Sequence, residues 1–180
     1  MDEELLKKAA DALKIRGVFL RSSNIQCRKD FFPPFTTDDD LSLLPQYRVR
    51  STIESHIITP TNQKNSECIK TAVFLFETGI RLVDNTSLDS GDSEEGAQDD
   101  KVYVEIDTEF CAHYEIDSNL EDSELHPALE EFGRYNIGYH VWPYWREYVQ
   151  STCTRLNIPP IPVPMYRIPK ERNGIQRDQH

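Results

Sequence analysis

The chain has 180 residues, of which 38% are hydrophobic, and its formal net charge is −11. This length predicts one domain with a modest core, and the negative charge argues against direct nucleic-acid binding because it repels the phosphate backbone. No segment approaches the ~18 apolar residues of a membrane span, and the charged N-terminus lacks the apolar run of a signal peptide. We therefore expect a cytoplasmic protein without membrane insertion.

Apolar periodicity predicts a helix, four strands and two further helices. In chain order they cover residues 3–13 (helix), 14–28, 47–59, 69–83 and 102–116 (strands), and 126–137 (helix), before a long final helix. The third strand is apolar on both faces and should be central, whereas the fourth alternates between apolar and polar residues. Strands followed by helices indicate an α+β fold, with a four-stranded antiparallel sheet and the helices on one face.

Two connecting segments differ in composition. Residues 29–46 include Pro33 and Pro34, which break regular elements, yet the segment is too apolar for a solvated loop. We expect an ordered crossover loop that packs on the body or receives a ligand. Residues 84–100 carry seven acidic residues and no Lys or Arg, and should form a disordered acidic insertion. Residues 1–169 would then be one domain, and 170–180 a flexible tail.

The long helix carries an apolar stripe that begins at Trp142. Pro143 fits the first turn of a helix, so the helix should begin near residues 138–141, and a proline-rich tail should end it. Its aromatic surface suits interfaces and peptide grooves better than catalysis. The stripe residues that we assign to the core or to a subunit interface are Trp145, Tyr148, Val149, Thr152 and Leu156.

The residues that carry chemistry form no recognisable catalytic or metal site. The cysteines, Cys27, Cys68, Cys111 and Cys153, are widely spaced, which predicts reduced thiols. Cys111 and His113 share one side of the fourth strand, but a metal site needs further ligands. No nucleophile–base pair, P-loop or GxGxxG motif occurs. We expect no enzymatic activity, no cofactor and no metal; the alternative is an enzyme of unfamiliar type.

Three carboxylates, Glu105, Asp107 and Glu109, form an acidic ladder on the polar side of the fourth strand. Paired carboxylates can serve acid–base chemistry. On an exposed strand, such residues more often add solvation and protect a sheet edge against pairing. They could also form an acidic face that docks a partner.

An aromatic-Pro-Tyr-x-Arg-Glu run lies near the start of the long helix, and an arginine and a proline-rich segment follow it. The residues are Trp142, Pro143, Tyr144, Trp145, Arg146, Glu147 and Arg155, followed by prolines between 159 and 164. With these motifs, residues 132–165 resemble the SecB-like chaperones, a family that has the same run at the start of its long helix. Pro143, Tyr144, Arg146 and Glu147 are therefore family-signature positions, although adjacent helix charges also occur on solvated flanks. Glu105 matches a family position that docks the translocase motor.

The chain resembles one branch of the family in more detail, the SecB-like chaperones of toxin–antitoxin–chaperone systems. The shared features are the N-terminal helix, the acidic insertion, the run Gly133-Arg134-Tyr135 and the ending at residues 155–160. We expect residues 170–180 to be too short and too polar to replace the second C-terminal helix of the export chaperone. The resemblance implies an ATP-independent holdase, a homotetramer built as a dimer of dimers, that captures the C-terminal extension of a cognate antitoxin and so enables toxin neutralisation.

The apolar loop over residues 29–46 predicts where a client would bind. We expect the client groove to be lined by Phe31, Phe32, Phe35, Leu43, Leu44 and Trp142. Two alternatives to the antitoxin role stay open. One is a general export chaperone that delivers unfolded precursors to the translocase, and the other is a protein-interaction module without holdase activity.

Overall fold

The computed structural model describes residues 1–35, 43–49, 54–58, 70–85, 101–117 and 120–167. In chain order the elements are α1 (Glu3–Ala12), β1 (Leu13–Cys27), β2 (Leu43–Val49), β3 (Glu54–Ile58), β4 (Thr71–Asp84), β5 (Val102–Ile116), α2 (Asp122–Tyr135) and α3 (Ile137–Leu156). A short 3-10 helix, Pro33–Phe35, lies between β1 and β2. The predicted α+β fold is confirmed. Residues 86–100 of the predicted insertion and the predicted tail lie outside the described residues.

The strands form an antiparallel sheet in the order β1-β5-β4-β2, and β3 also pairs with β4. β2 pairs with residues 78–84 of β4 and β3 with residues 71–75, so both lie along one edge of β4. The predicted strand 47–59 is therefore two strands, and β2 begins at Leu43, inside the segment predicted to be irregular. Pro45 made β2 hard to recognise in the sequence, because proline usually argues against a strand. An edge strand tolerates a proline when the missing N–H would face away from the neighbouring strand.

The β4–β5 pair forms the centre of the sheet. The register places Phe76 opposite Phe110 and Ile80 opposite Ile106, and all four side chains are buried. Two apolar rows thus meet on the face that the helices cover. The predictions that the third strand is central and that the fourth alternates are confirmed.

The N-terminal helix packs on α2, and α3 packs on β4 and β5. Asp2 caps α1, since its carboxylate accepts hydrogen bonds from the backbone N–H groups of Glu4 and Leu5. Ala9 and Ala12 are buried. The predicted helix 3–13 is confirmed, and no helix in the described ranges is long and apolar enough to cross a membrane.

The long helix α3 follows α2 after a break at Asn136 and begins at Ile137, just before the predicted range. Pro143 lies in its second turn, so its placement in the first turn was wrong. A proline there has no N–H to donate to the carbonyl of Tyr139. Burial of Trp142 and Trp145 on the same stretch of helix offsets this loss, because a buried aromatic side chain stabilises more than one net hydrogen bond does.

The apolar stripe of α3 lies in the core of the chain. Trp145 and Val149 are fully buried, and Thr152 is nearly so. Tyr148 packs edge-on against Phe110 of β5, with ring centroids 6.3 Å apart, and Leu156 packs on the core from a half-buried position. The residues predicted as core or subunit interface are thus buried in the core of their own chain or pack on it.

The described cysteines are free thiols. Cys27 is exposed, whereas Cys111 and Cys153 are buried. Desolvation raises the pKa of all three thiols, so they stay protonated and poorly nucleophilic at neutral pH. Cys68 lies outside the described residues.

Replacing Val149 with alanine should lower the free energy of unfolding by about 2 kcal/mol, because it removes two buried methyl groups and leaves a cavity. Urea denaturation at a fixed protein concentration measures this change. The control is Glu147→Ala on the exposed side of the same helix, which should stay within about 0.5 kcal/mol of the parent. An unchanged denaturation curve with an altered oligomeric state would place Val149 at a subunit interface instead.

Candidate functional site

The segment after β1 is held against the sheet by Tyr103 of β5. The backbone N–H of Arg28 donates to the Tyr103 carbonyl at 2.9 Å, and the Arg28 guanidinium lies 3.6 Å from the Tyr103 ring centroid. Phe31 packs edge-on against the same ring, with centroids 5.2 Å apart. Only 8% of Phe31 is exposed, so this side chain anchors the segment.

The residues that follow Phe31 face solvent. Phe32 is 59% exposed and Phe35 is 86% exposed. Leu44, also exposed, lies at the same end of the sheet, because it pairs with Val83, whose partner on β5 is adjacent to Tyr103. We call Phe32, Phe35 and Leu44 the apolar corner. Scattered exposed apolar residues are ordinary, but a group of them is typical of a binding surface.

The predicted groove residues do not form one open groove. Leu43 is half-buried next to the apolar corner and packs on the core. Trp142 lies on α3 in the helix layer and is buried, because Pro164 and Tyr166 lie over it. Five of the six residues are thus at one end of the sheet, and Trp142 is beneath the proline-rich segment.

Residues 158–166, which we call the strap, run along α3 and are held by hydrogen bonds to their backbone. Gln150 Nε2 donates to the Ile161 carbonyl at 2.7 Å, and Tyr47 Oη donates to the Pro162 carbonyl at 2.6 Å. Trp142 Nε1 donates to the Pro164 carbonyl at 2.7 Å. These prolines end the helix, as predicted, and they also dock on it, which was not predicted. The alternation of apolar residues with prolines is the signal that could have shown it.

The first strand is a long sheet edge. It has 15 residues, and within the described ranges it pairs with β5 alone. Ile15, Phe19, Leu20 and Ile25 are all exposed along it. Open N–H and C=O groups beside apolar side chains can pair with another strand, from a second copy or from an extended peptide.

Two carboxylates of the acidic ladder on β5 form ion pairs with arginines of β1 and β2. Arg48 pairs with Asp107 at 2.5 Å, and Arg21 pairs with Glu109 at 2.7 Å. Arg48 reaches Asp107 across β4 at Gly79, where a Cβ would overlap the Asp107 carboxylate. Because β5 lies inside the sheet, the predicted role of the ladder in protecting a sheet edge is wrong.

Glu105 differs from the other two carboxylates. It lines a cavity of about 210 Å³ together with Arg48, Gly79 and Arg81. Arg81 donates its Nε–H to Gln46 Oε1 at 2.8 Å, and among the described residues no ion pair is formed by Glu105. A cationic group of a partner could therefore reach this carboxylate, as the predicted docking face requires.

The family-signature residues lie on the outer side of α3. Pro143, Tyr144, Arg146 and Glu147 are all exposed, opposite the buried stripe. This position is compatible with a partner contact and equally with a solvated flank.

Cys111 and His113 share one side of β5, as predicted. Phe19 of β1 pairs with Cys111, and its ring packs 6.3 Å from that of His113. In the part of the chain that the structure describes, no three His, Cys, Asp or Glu side chains are grouped to hold a metal ion.

A polar pair connects the sheet with α3. Tyr114 Oη and His140 Nδ1 are 2.5 Å apart, and Phe132 packs on both rings. Desolvation lowers the pKa of His140 and raises the pKa of Tyr114. Both shifts favour the neutral forms, and a neutral pair needs only one proton between Tyr114 Oη and His140 Nδ1 to form this hydrogen bond.

The comparisons with known proteins support the fold. No family model matches the sequence, and no curated protein does. Among solved structures, the chain is similar to a SecB-like chaperone from Mycobacterium tuberculosis, solved in complex with a ChAD peptide from an antitoxin. The TM-score is 0.58 with 17% identity, over 93% of this chain and 100% of that chain. The predicted likeness is thus confirmed as a likeness of fold.

The stability of the protein should fall as the pH drops below about 6.5, the ordinary pKa of histidine. Because the folded-state pKa of His140 is lowered, the unfolded chain binds a proton that the folded chain does not. The contribution of neutral His140 is fully present above that pH and is lost as the pH falls towards the folded-state pKa. Urea denaturation at several pH values measures it.

The His140→Gln variant should show a weaker pH dependence, whereas His126→Gln, at an exposed histidine on α2, should keep that of the parent. Equal slopes in the parent and in His140→Gln would contradict the assignment.

Proposed function

We propose that this protein is an ATP-independent holdase that binds an extended, aggregation-prone polypeptide segment in the cytoplasm. The observation that carries the proposal is the apolar corner, where Phe32, Phe35 and Leu44 are exposed at one end of the sheet. The SecB-like chaperone with the same fold was solved with an antitoxin peptide, which supports a peptide client. The segment that we expect is the C-terminal extension of a cognate antitoxin.

A holdase must bind many sequences without chemistry. Phenylalanine offers large contact area with few rotatable bonds, so binding costs little side-chain entropy. An open sheet edge offers N–H and C=O groups that pair with any extended backbone. Apolar contact and backbone pairing together select for extended apolar chains and need no nucleotide, metal or catalytic residue.

The proposed mechanism follows from what the client would be alone. An apolar C-terminal extension would aggregate or be cleaved, because its side chains and backbone are exposed. Binding at the apolar corner would cover those side chains while the rest of the antitoxin folds. The folded antitoxin would then neutralise its toxin, so loss of this protein should release the toxin.

Replacing Phe32 and Phe35 together with alanine should weaken binding of an unfolded polypeptide by roughly 1–3 kcal/mol in total, the scale of interface hot spots. Because both side chains are exposed, the fold should be unaffected, which circular dichroism verifies. Fluorescence anisotropy with a labelled, permanently unfolded protein measures the affinity.

Two single variants sharpen this test. Tyr144→Ala removes an exposed aromatic side chain from α3 and should leave the affinity unchanged. Phe31→Ala removes the anchor on Tyr103 and should lower the free energy of unfolding instead, by about 3 kcal/mol. Unchanged affinity in a folded Phe32→Ala/Phe35→Ala variant would refute the apolar corner as the client site.

We expect the protein to form a homotetramer, a dimer of dimers. The exposed apolar residues of β1, such as Phe19 and Ile25, support self-association, because an apolar sheet edge is unfavourable in water. Light scattering at micromolar concentration measures the mass. A monomer of 20.9 kDa under these conditions would overturn the expectation.

The identity of the client distinguishes the antitoxin role from export. Affinity purification of this protein from its native host should yield one stoichiometric antitoxin. A broad set of precursors with signal peptides, together with the translocase motor, would indicate a general export chaperone instead. If the purified protein is intact and folded but carries neither class of client, it would be an interaction module without holdase activity.

A further inference from the structure

The channel between α3 and β2 holds the strap by its backbone. Three side chains of the channel, Gln150, Tyr47 and Trp142, donate hydrogen bonds to the strap, and each donates to a carbonyl oxygen. Every residue of any polypeptide offers such an oxygen. The polar part of the channel therefore accepts an extended chain without reading its sequence.

The apolar part of the channel selects by spacing. Ile161 and Val163 are buried, whereas Pro160, Pro162 and Pro164 face solvent. This is the alternation of an extended chain with one face covered. A segment with apolar residues at alternate positions can make the same contacts, and this pattern is common in aggregation-prone sequences.

The end of the strap is seated on a glycine. The ring of Tyr166 lies over Gly138 of α3, where a Cβ would overlap the ring. The same ring packs against Trp142 and Tyr139, with centroids 5.2 Å and 5.0 Å apart. Gly138 lowers helix stability relative to alanine, but it leaves room for the ring of Tyr166.

The strap is a poor competitor for its own channel. Four of the residues from 159 to 164 are prolines, which have no N–H to donate. Another extended chain of ordinary composition would have an N–H donor at each of these positions. The strap compensates because it is covalently attached, which gives it a high effective concentration.

We propose that this channel is a second binding site for extended polypeptide, closed by the strap in the free protein, and that a client segment replaces the strap. The inference rests on the proposed holdase function. Tyr47 of the channel and Leu44 of the apolar corner are three residues apart on β2, a distance of about 10 Å, and they lie on opposite faces of it. A client that crosses the β2 edge can therefore contact both sites.

The Gly138→Ala variant tests this proposal without weakening the helix, because alanine favours helix over glycine while its Cβ displaces Tyr166. The full-length protein is used, and the probe is reduced, carboxymethylated α-lactalbumin, which is permanently unfolded. We expect the variant to bind the probe about tenfold more tightly, because the open state no longer has to be selected from a small population. A synthetic peptide of residues 158–167 should compete with the probe.

Cleavage by chymotrypsin after Tyr166 reports strap release in each variant, and Val163→Asp is a second variant that should release it. Tyr144→Phe is the control for Tyr47→Phe: the first should change nothing, and the second, which loses one anchor of the strap, should increase cleavage. If the parent binds the probe and neither released variant binds it more tightly, the channel proposal is wrong. If neither the parent nor a released variant binds the probe, the proposed holdase function itself fails.

Discussion

The packing of α3 on the β4–β5 pair is the contact on which the other features of the fold depend. Trp145 and Val149 are fully buried there, over strands whose paired residues, such as Phe76 and Phe110, form one apolar layer. Because the helices cover the middle of the sheet, they leave its outer strands uncovered. β1 stays exposed along its length, and the β2 side is closed by the strap. The exposed apolar surface is what remains when the helix layer is narrower than the sheet.

On the opposite face of the sheet, arginines form ion pairs with carboxylates of β5. A central strand with three carboxylates would be unfavourable if they were partly buried without partners. Arg21 and Arg48 come from strands on either side of β5, so the ion pairs hold the register more than they add stability, since partly exposed pairs contribute at most about 1 kcal/mol each. A slip by one residue would move every arginine to the helix face.

The fold was largely predictable because periodicity reports which face of an element is buried. The start of α3 was missed, since the preference of proline for a first turn yields to the burial of neighbouring tryptophans. The site was predictable only in part. Phe31, Phe32 and Phe35 have the same side chain, yet the first is an anchor and the others face solvent. Tyr103 decides this difference, and a contact between residues 72 positions apart leaves no local pattern in the sequence.

The proposed holdase function requires affinity for apolar chains together with the solubility of the protein itself. The apolar corner exposes three side chains, and a net charge of −11 opposes nonspecific association at long range. The larger apolar surface, around Trp142, is covered by residues of the same chain. Covering it with a proline-rich strap avoids a strand whose own free edge would pair with other molecules. The prolines that follow α3 thus end the helix and also leave no free strand edge in the strap for aggregation.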